Sequence, residues 1–536
     1  MAKSLRALAT ALLVLWPLAA PALDCAADAT TPAAVRGIGQ EPIAPGETVT
    51  VRGRIGGVFL GEAQLDGFFL QARTDGAPAG VFVYTPEPEA AWDGALRPGR
   101  QVVVRARTDR FHGRIQLHRV AAMADCGSAT VAPVALDWPA SAERLHRLNG
   151  VRVRVERPLT VTGHHQLTRY GSLHLAGKRL FHPNTVGGQE PDTPVLVLDD
   201  GAYDRDPRPV PYLNAAGTRR LGARVTRLNG ILTRAFDAWR IHPVEPPAFD
   251  AANPRPAPPA APADQARRIG LLNLGNYFVS LDGRGATTEA QRRAQERALS
   301  RLVDGLAADA LALTELENRP RALEALATRV AGGAYRAVTG PARLGDDVIR
   351  NAILYRPQRL TPVGPPRVAE DDAFVRPPLA QRFRSDAGHA FTLVAAHFKS
   401  KGGCPQAGDV DRGAGCWDRR RQREARALAR WTAGLRQPVI VAGDLNAYAG
   451  EAPIAHLREA GFRDLLRHGL PASDRYTYVF RGRSGYLDYL LVQGEGRTAR
   501  VGHWAVNADE PPGVTAPGAV WRATDHDPVW LELAAP

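Results

Sequence analysis

Pro-Val-Ile-Val-Ala-Gly-Asp-Leu-Asn-Ala-Tyr, the segment Pro438–Tyr448, indicates a buried strand that ends in two polar side chains. Val439 to Ala442 form a continuous apolar run, which is typical of a strand buried on both faces. Asp444 and Asn446 follow at alternate positions, where the side chains of an extended backbone point to the same side. A carboxylate and an amide side by side could hold a metal ion, a water molecule and a phosphate oxygen together. An Asx turn at the end of the strand is the structural alternative, and the rest of the chain must decide between the two.

Strands and helices alternate from Arg268 to the end of the sequence. Thr288–Leu306 has the apolar spacing of a helix, which Thr287 or Thr288 could cap. Apolar runs that predict strands are Ile269–Leu274, Ala310–Leu313, Val348–Tyr355, Phe391–Ala396, Val439–Ala442, Tyr486–Val492 and Pro528–Leu533. This alternation predicts an α/β domain over residues 268–536, a four-layer sandwich of two packed β-sheets with outer helices.

Polar side chains recur where these apolar runs end. They are Asn273, Asn276, Glu315, His397, Asp444, Asn446, Asp488, Asp525 and His526. Ligands of α/β sheets bind at the strand ends, so we expect these side chains to share one rim. Carboxylate oxygens suit Mg²⁺, with Ca²⁺ or Mn²⁺ as alternatives, and a His side chain suits proton transfer. The chemistry indicated is metal-assisted hydrolysis of a phosphoester; zinc with two His ligands is the second candidate.

The first residues have the composition of an export signal. Lys3 and Arg6 precede the apolar stretch Leu8–Leu18, and Ala20-Pro21-Ala22 is a small-residue cleavage site. We therefore predict a signal peptide over residues 1–22 and an exported protein, secreted or periplasmic. No later segment has about 18 uncharged apolar residues in a row, so stable membrane insertion is not expected.

Four cysteines fit an oxidising compartment. They allow three pairings, and pairing neighbours along the chain would give Cys25–Cys126 and Cys404–Cys416. A zinc site is the alternative, but the sequence has no closely spaced Cys or Cys/His pairs.

Two β-rich stretches and a spacer precede the α/β domain. Residues 23–128 contain five short alternating runs, which predict a small barrel of the oligonucleotide-binding (OB) type. Four aromatic side chains could stack on bases there or fill the barrel interior: Phe68, Phe69, Phe82 and Tyr84. Residues 129–249 continue the β pattern without a reactive cluster. Residues 250–267 are mostly Ala and Pro, which predicts a semi-rigid spacer at a domain boundary.

The net charge of +13 indicates a polyanionic partner, such as nucleic acid, a phospholipid surface or a phosphorylated substrate. Arg supplies nearly all of this charge, because the chain has only four Lys: Lys3, Lys178, Lys399 and Lys401. Lys399 and Lys401 flank one Ser beside His397, so we predict that their compact ammonium groups contact phosphate; a solvated loop is the alternative. Six Arg between residues 419 and 430 fit either DNA-backbone binding or a charged outer helix face.

The strand-end motifs resemble those of the endonuclease/exonuclease/phosphatase superfamily, which includes pancreatic deoxyribonuclease. In chain order they are Leu272-Asn273 with Asn276-Tyr277-Phe278, Leu313-Thr314-Glu315, His397, Gly443-Asp444-Leu445-Asn446, Leu487-Asp488-Tyr489 and Thr524-Asp525-His526-Asp527-Pro528. The family usually has Ser where Thr524 stands, and either hydroxyl can cap the turn. The signal peptide, the β-rich first half and the His-Phe-Lys-Ser-Lys-Gly segment from His397 look more closely like secreted bacterial extracellular nucleases.

The resemblance implies a metal site and a water site. Glu315 would be the principal metal ligand, with Asn273 and Asp525 close by. Asp444 and Asn446 would orient the attacking water and the scissile phosphate.

The resemblance also implies proton-transfer and substrate-binding groups. His526, paired with Asp488, would act as general base or phosphate polariser. His397 would lie opposite and stabilise charge or protonate the leaving oxygen. The predicted substrate contacts are Arg376, Lys399, Lys401, Asn276 and Tyr478.

The sequence as a whole predicts a secreted, metal-dependent endonuclease that hydrolyses extracellular DNA, with RNA as a further candidate substrate. A phosphatase or a phospholipid phosphodiesterase of the same fold is the first alternative. A non-catalytic nucleic-acid-binding protein is the second, and the full set of acidic and His positions argues against it.

Overall fold

The structure is a computed structural model that describes residues 23–74, 77–185, 188–263, 265–281, 283–495 and 498–534. The predicted signal peptide, residues 1–22, lies outside the described residues. The chain forms two compact units: Met1–Val134 with Ser141–Val153 and Gly230–Thr233, and Ala135–Ala140 with Arg154–Asn229 and Arg234–Pro536. The domain boundaries predicted at residues 128, 249 and 267 stay predictions.

The first unit contains a closed five-stranded barrel with strand order β1-β2-β3-β5-β4. Its elements are α1 (Pro32–Arg36), β1 (Thr48–Phe59), β2 (Gly67–Thr74), β3 (Ala77–Tyr84), β4 (Arg100–Phe111) and β5 (Arg114–Ser128). The predicted disulfide Cys25–Cys126 is present. The assignment of the barrel to the OB type stays a prediction.

Two aromatic side chains proposed for base stacking are buried. Phe68 is 0% exposed and belongs to the barrel core, whereas Phe69 is 4% exposed, points to the other face of the strand and packs against the rings of Phe59 and Phe82. Tyr84, at the end of β3, is 37% exposed. The aromatic residues of this strand pair therefore serve mainly packing.

The β-rich stretch that follows contains short strands. In chain order the elements are β6 (Val134–Leu136), α2 (Ala142–Leu148), β7 (Arg152–Val155), β8 (Leu159–Gly163), α3 (Leu167–Tyr170), β9 (Ser172–Ala176), β10 (Leu196–Asp199), β11 (Arg224–Arg227), β12 (Asn229–Ala235), β13 (Ala238–Pro243) and β14 (Ala248–Phe249). Within the second unit the strand order is β14-β11-β8-β9-β10-β13.

The rest of the second unit is the predicted α/β region. Its first half comprises β15 (Arg267–Tyr277), α4 (Glu289–Leu306), β16 (Ala310–Glu317), α5 (Pro320–Ala325) with a π-helical turn (Leu326–Val330), β17 (Arg336–Ala337), β18 (Ile349–Tyr355), β19 (Leu360–Pro362), β20 (Arg367–Val368), β21 (Leu379–Ser385) and β22 (Ala390–His397). Its second half comprises α6 (Asp418–Ala433), β23 (Val439–Asp444), α7 (Ala452–Glu459), β24 (Arg463–Asp464), α8 (Leu465–Gly469), β25 (Tyr478–Phe480), β26 (Arg483–Gly485), β27 (Asp488–Gln493), β28 (Thr498–His503) and β29 (Val529–Leu533).

Two sheets carry this region. One has the order β17-β18-β16-β15-β29-β28 and the other β19-β21-β22-β23-β27-β24. A single apolar core joins them, with Ile269 and Ala312 from the first sheet and Val441 and Leu491 from the second. A second core packs α4 against the outer side of the first sheet. The predicted α/β fold with two packed sheets and outer helices is therefore confirmed.

Local chemistry explains where two elements begin. Thr288 caps α4, because its hydroxyl accepts a hydrogen bond from the Gln291 amide (3.2 Å), as the sequence predicts. The predicted disulfide Cys404–Cys416 closes the loop before α6. Asp409 in that loop accepts hydrogen bonds from the amides of Arg419 (3.0 Å) and Arg420 (2.9 Å) and so caps α6.

In the part of the chain that the structure describes, no helix is long and apolar enough to cross a membrane.

Candidate active site

Three polar side chains come together because two neighbouring strands end, and a third begins, at the same level of one sheet. β22 runs parallel to β23 and pairs His397 with Asp444, and β27 runs antiparallel to β23 and pairs Asp444 with Asp488. Gly443 permits this close approach, since a Cβ atom there would lie 2.3 Å from the Ala396 carbonyl oxygen. The stretch Pro438–Tyr448 therefore delivers Asp444 to the centre of a polar row.

The other sheet supplies Asn273 from β15 and Glu315 from β16. Asn273 Nδ2 donates to Asp444 Oδ2 (3.2 Å), and Glu315 Oε2 accepts from the Asn276 amide (2.9 Å). Asn276, Glu315 and Asn446 all have positive φ angles (+56°, +60° and +47°). Non-glycine residues in this region store strain of about 1–3 kcal/mol each, and such strain concentrates at functional sites. The two sheets thus meet in a cluster whose backbone is held under strain.

His526 and Asp488 form a buried pair. His526 Nδ1 lies 2.7 Å from Asp488 Oδ2, the same oxygen that accepts from the Thr477 hydroxyl (2.6 Å). Its other nitrogen, Nε2, lies 3.9 Å from Asp444 Oδ2. Burial lowers the pKa of His526, but the carboxylates of Asp488 and Asp444 outweigh it and raise that pKa well above the ordinary value. His526 is therefore an imidazolium that points Nε2 toward Asp444.

His397 differs from His526 in its protonation state. Burial, followed by the positive charge of Arg376, lowers the pKa of His397 well below its ordinary value. Its Nε2 lies 3.6 Å from Asp444 Oδ2, and its buried Nδ1 has no hydrogen-bond partner among the described residues. The two His side chains next to Asp444 thus differ, one neutral and one charged.

Asp444 sits between these groups and its own neighbouring carboxylates. Burial raises the pKa of Asp444 to about 7; the His526 cation opposes this shift, and the carboxylates of Asp488 and Glu315 add to it. Its Oδ1 accepts from the Asn446 amide (3.0 Å), while the Asn446 side chain donates to the Phe398 carbonyl (3.2 Å). Asp444 can therefore exchange a proton near neutral pH.

The donor atoms fit a hard divalent cation. Ligand atoms of Glu315, His397 and Asp444 lie within 4.8 Å of one another, as do those of Asp444, Asp488 and His526. Within the described part of the chain, the buried Oδ1 of Asn276 has no hydrogen-bond partner and is a further available oxygen. Oxygen ligands suit Mg²⁺, Ca²⁺ and Mn²⁺. Zinc would recruit imidazole nitrogens, and each group contains one His, His397 or His526.

Asp525 and Tyr478 lie on the His526 side of the site. Asp525 contributes to the raised pKa of His526, yet its oxygens belong to neither group of clustered ligand atoms among the described residues. The Tyr478 ring lies tilted against the His526 ring, with centroids 4.8 Å apart. Its ring therefore covers one side of the imidazolium.

The predicted phosphate-binding cations have different surroundings. Arg376 is buried, with Nε 2.9 Å from Asp347 Oδ2 and Nη1 3.0 Å from the Phe398 carbonyl oxygen. The Lys399 ammonium lies over the Trp417 ring at 5.2 Å and contacts the Ser400 hydroxyl (3.3 Å).

The Lys401 ammonium is bound inside its own loop. It donates to Glu451 Oε2 (2.5 Å) and to the Ala414 carbonyl (2.6 Å). These bonds hold the Lys401 ammonium inside the loop, and its predicted phosphate contact stays a prediction. Within the Arg cluster of α6, Arg421 is 0% exposed and donates to the Cys416 and Ala414 carbonyls.

Sequence reasoning missed two buried side chains that hold the site together. Thr477 donates to Asp488, and Glu424 accepts from the amides of Lys399 (2.8 Å) and Val375 (3.3 Å). Glu424 lies on α6 among six Arg within the same helix, where it looks like a surface charge. Thr477 has no neighbouring motif that would single it out.

Comparisons with known proteins bear on this arrangement. Residues 270–526 match the Endonuclease/Exonuclease/phosphatase family. Zebrafish (D. rerio) TDP2 in complex with a single-strand DNA product is 15% identical over 51% of this chain and 100% of its own, with a TM-score of 0.37. The human Nocturnin catalytic domain with bound sulfate is 15% identical over 51% of this chain and 95% of its own (TM-score 0.36). A mannosyl-6-phosphatase of Bacteroides thetaiotaomicron is 16% identical over 50% and 99% (TM-score 0.35).

A search of curated proteins finds no match. The family match spans every strand-end motif from Asn273 to His526. The second half of the chain, through residues 270–526, therefore matches the endonuclease/exonuclease/phosphatase family.

Proposed function

We propose that this chain is an exported, divalent-metal-dependent nuclease that hydrolyses phosphodiester bonds of extracellular DNA, with RNA as a further substrate. Members of its family are hydrolases, phosphodiesterases or phosphatases, and they generally use divalent metals. The observation that carries the proposal is the convergence of Asn273, His397, Asp488 and His526 on one buried carboxylate, Asp444. The net charge of +13 supports a polyanionic substrate, and the two disulfides are compatible with export.

The proposed metal site comprises Glu315 with Asn273 and Asp525 nearby. A divalent cation bound there would polarise a phosphate oxygen and neutralise developing negative charge. Asn273 also holds Asp444 in place through its Nδ2, and Asn276 offers its free Oδ1 beside Glu315. Asn273 and Asn276 therefore orient the Asp444 and Glu315 carboxylates, next to which the substrate phosphate would bind.

The protonation states indicate different roles in proton transfer for Asp444, His526 and His397. Asp444, with a pKa of about 7, suits the acceptance of a proton from the attacking water at neutral pH, and Asn446 holds its other oxygen. The imidazolium of His526 suits donation of a hydrogen bond to a phosphate oxygen, which stabilises charge in the transition state. His397 is neutral and lies on the other side of Asp444, where it can donate a hydrogen bond toward the leaving oxygen. This division favours the polariser role for His526 over the general-base role.

The proposed substrate contacts are Arg376, Lys399, Asn276 and Tyr478. Arg376 and Lys399 bring positive charge to the His397 side, where both contribute to the lowered pKa of that imidazole. Tyr478 lies against His526 and offers a ring for a sugar or base next to the scissile phosphate. Lys401 is a further proposed contact, although its ammonium is also bound to Glu451.

A substrate panel tests the proposal. Purified protein is incubated with plasmid DNA, RNA and sphingomyelin, each with Mg²⁺, with Ca²⁺ and with a chelator. We expect metal-dependent cleavage of DNA and no cleavage with the chelator. DNA that stays intact under every metal condition contradicts the proposal, and cleavage of sphingomyelin alone supports the phospholipid phosphodiesterase instead.

A further inference from the structure

The hairpin β25–β26 carries Tyr478 to the catalytic cluster. Tyr478 pairs with Gly485 and Val479 pairs with Ser484 across the hairpin. Tyr478 lies against the His526 ring, and Thr477, directly before it, donates to Asp488 Oδ2. The position of this hairpin therefore sets two contacts of the His526–Asp488 pair.

The hairpin is held from outside by the β-rich stretch at residues 162–182. The Thr162 hydroxyl donates to the Gly482 carbonyl (2.6 Å) and accepts from the Leu180 amide (3.2 Å). Backbone bonds continue the contact: the Ser484 amide donates to the Leu180 carbonyl (2.9 Å), and the His182 amide donates to the Ser484 carbonyl (2.8 Å). The β-rich stretch thus adds its own backbone to the outer strand of the hairpin.

Two glycines make this approach possible. A Cβ atom on Gly163 would lie 3.0 Å from Gly482 Cα, and Gly482 has a φ of +81° that side chains rarely adopt. The backbones of β8 and of the hairpin turn therefore pack against each other without intervening side chains. A small displacement of β8 would therefore shift the hairpin turn directly.

Arg179 joins Ser484 of β26 and Tyr476, which lies just before β25, to the buried carboxylate of Asp509. Its guanidinium donates to Ser484 Oγ (3.0 Å) and to both oxygens of Asp509 (2.8 and 3.0 Å), and it lies 4.3 Å from the centroid of the Tyr476 ring. The Tyr476 hydroxyl in turn donates to Asp509 Oδ2 (2.8 Å). Arg179 thereby fixes Tyr476, two positions before Tyr478, and Ser484 on β26.

We propose that Thr162 and Arg179 are positioning residues, through which the β-rich stretch holds Tyr478 against His526. The proposal rests on the proposed function of this site. Replacing Thr162 by Val would leave the buried Gly482 carbonyl without its donor, and a buried carbonyl that loses its partner favours a shifted hairpin. A displacement of about 1 Å of a group that orients the substrate can lower a rate by about a hundredfold.

The experiment compares four variants with the wild-type full chain, each measured for kcat and KM on plasmid DNA with Mg²⁺. Thr162→Val is expected to lower kcat about tenfold with a smaller change in KM. Thr162→Ser, which keeps the hydroxyl, is expected to restore wild-type kcat. Arg179→Lys is expected to behave like Thr162→Val, because Lys cannot bind Ser484 and both Asp509 oxygens at once. Thr226→Val is the matched control, since Thr226 also donates to a backbone carbonyl (Ala248 O, 3.3 Å) but at an exposed edge of the sheet.

Limited proteolysis gives a readout that does not depend on activity. Arg481 lies at the hairpin turn, so trypsin is expected to cut after Arg481 faster in Thr162→Val than in the wild type or in Thr226→Val. Wild-type kcat in Thr162→Val and Arg179→Lys overturns the proposal, whatever the tryptic rate. A kcat that falls equally in Thr162→Val and Thr162→Ser also overturns it, because the hydroxyl would then not be responsible. If the wild type cleaves no DNA, the proposed function fails. The tryptic comparison still tests whether Thr162 holds the hairpin β25–β26 in place.

Discussion

At the scale of single residues, the site places two His side chains in different protonation states next to Asp444. One neighbouring imidazole is held neutral by burial and by Arg376, and the other is held protonated by Asp488 and Asp444. A pair of titratable groups whose surroundings push their pKa values apart is the usual signature of an acid and a base in one site. The orientation of His526 depends on a single oxygen, Asp488 Oδ2, which binds both His526 and Thr477.

Asp488→Asn tests the charge state of His526. The pKa of His526 is raised above its ordinary value, so the imidazolium persists to higher pH and is lost as pH rises through that pKa. Without the Asp488 carboxylate the pKa falls, and the alkaline limb of kcat/KM against pH is expected to move to lower pH. At pH 8 we expect activity to drop by about a hundredfold or more. Asp237→Asn, at an exposed turn, is the control, and an unchanged pH profile in Asp488→Asn would show that Asp488 does not set the state of His526.

The sequence was informative about residues at strand ends and silent about those that support them. Asp444, Asp488 and His526 could be found because each follows or begins an apolar run, and the sheet register then brings the first two together. Thr477 could not be found, since a Thr in a loop gives no spacing signal. The rarity of Lys401 in an Arg-rich chain likewise gave no signal of Glu451, the buried carboxylate that binds it.

At the scale of elements, strand pairing explains the site more than any single motif does. β22 and β23 end where the antiparallel β27 begins, and the positions of His397, Asp444 and Asp488 follow from the register. Periodicity and capping predicted α4 and the main strands, because both are local properties of the sequence. The order of strands within each sheet could not be predicted in this way, since it depends on contacts between segments far apart in the chain.

Gly443→Ala tests the close approach of β22 and β23. The new methyl group would lie 2.3 Å from the Ala396 carbonyl oxygen, so the strands must move apart. We expect the free energy of unfolding in urea to fall by about 1–3 kcal/mol. Gly402→Ala is the control, because a Cβ atom at Gly402 has no atom within 4 Å. Equal stability of the two variants would contradict the proposed constraint on strand spacing.

At the scale of the whole molecule, a buried ionic network joins distant parts of the second unit. Asp509 binds Arg179 and Asn253, and Glu510 binds Arg220 and Arg255. The Ala/Pro segment that the sequence predicted to be a spacer is therefore held at Asn253 and Arg255. Composition alone could not reveal this, because the partners lie about 255 positions further along the chain.

Acid should weaken this network. Burial raises the pKa of Asp509, but Arg179 outweighs it and the pKa is lowered to about 2. Because the unfolded value is about 3.9, the folded carboxylate stabilises the protein above that pH, and the contribution is lost as pH falls toward 2. We expect the free energy of unfolding, measured in urea at pH 5, 4, 3 and 2, to fall across this range. The fall should be smaller in Asp509→Asn, and an identical pH dependence in both proteins would show that Asp509 is not responsible.

The central claim is that Asp444 lies at the heart of a metal-dependent phosphodiesterase site, and the rate of plasmid DNA cleavage by Asp444→Asn tests it most directly. The substitution keeps the size of the side chain and removes its negative charge. With Mg²⁺ present and circular dichroism matching the wild type, we expect the cleavage rate to fall by at least about a hundredfold. An Asp444→Asn protein that cleaves DNA at the wild-type rate would contradict the account of the site.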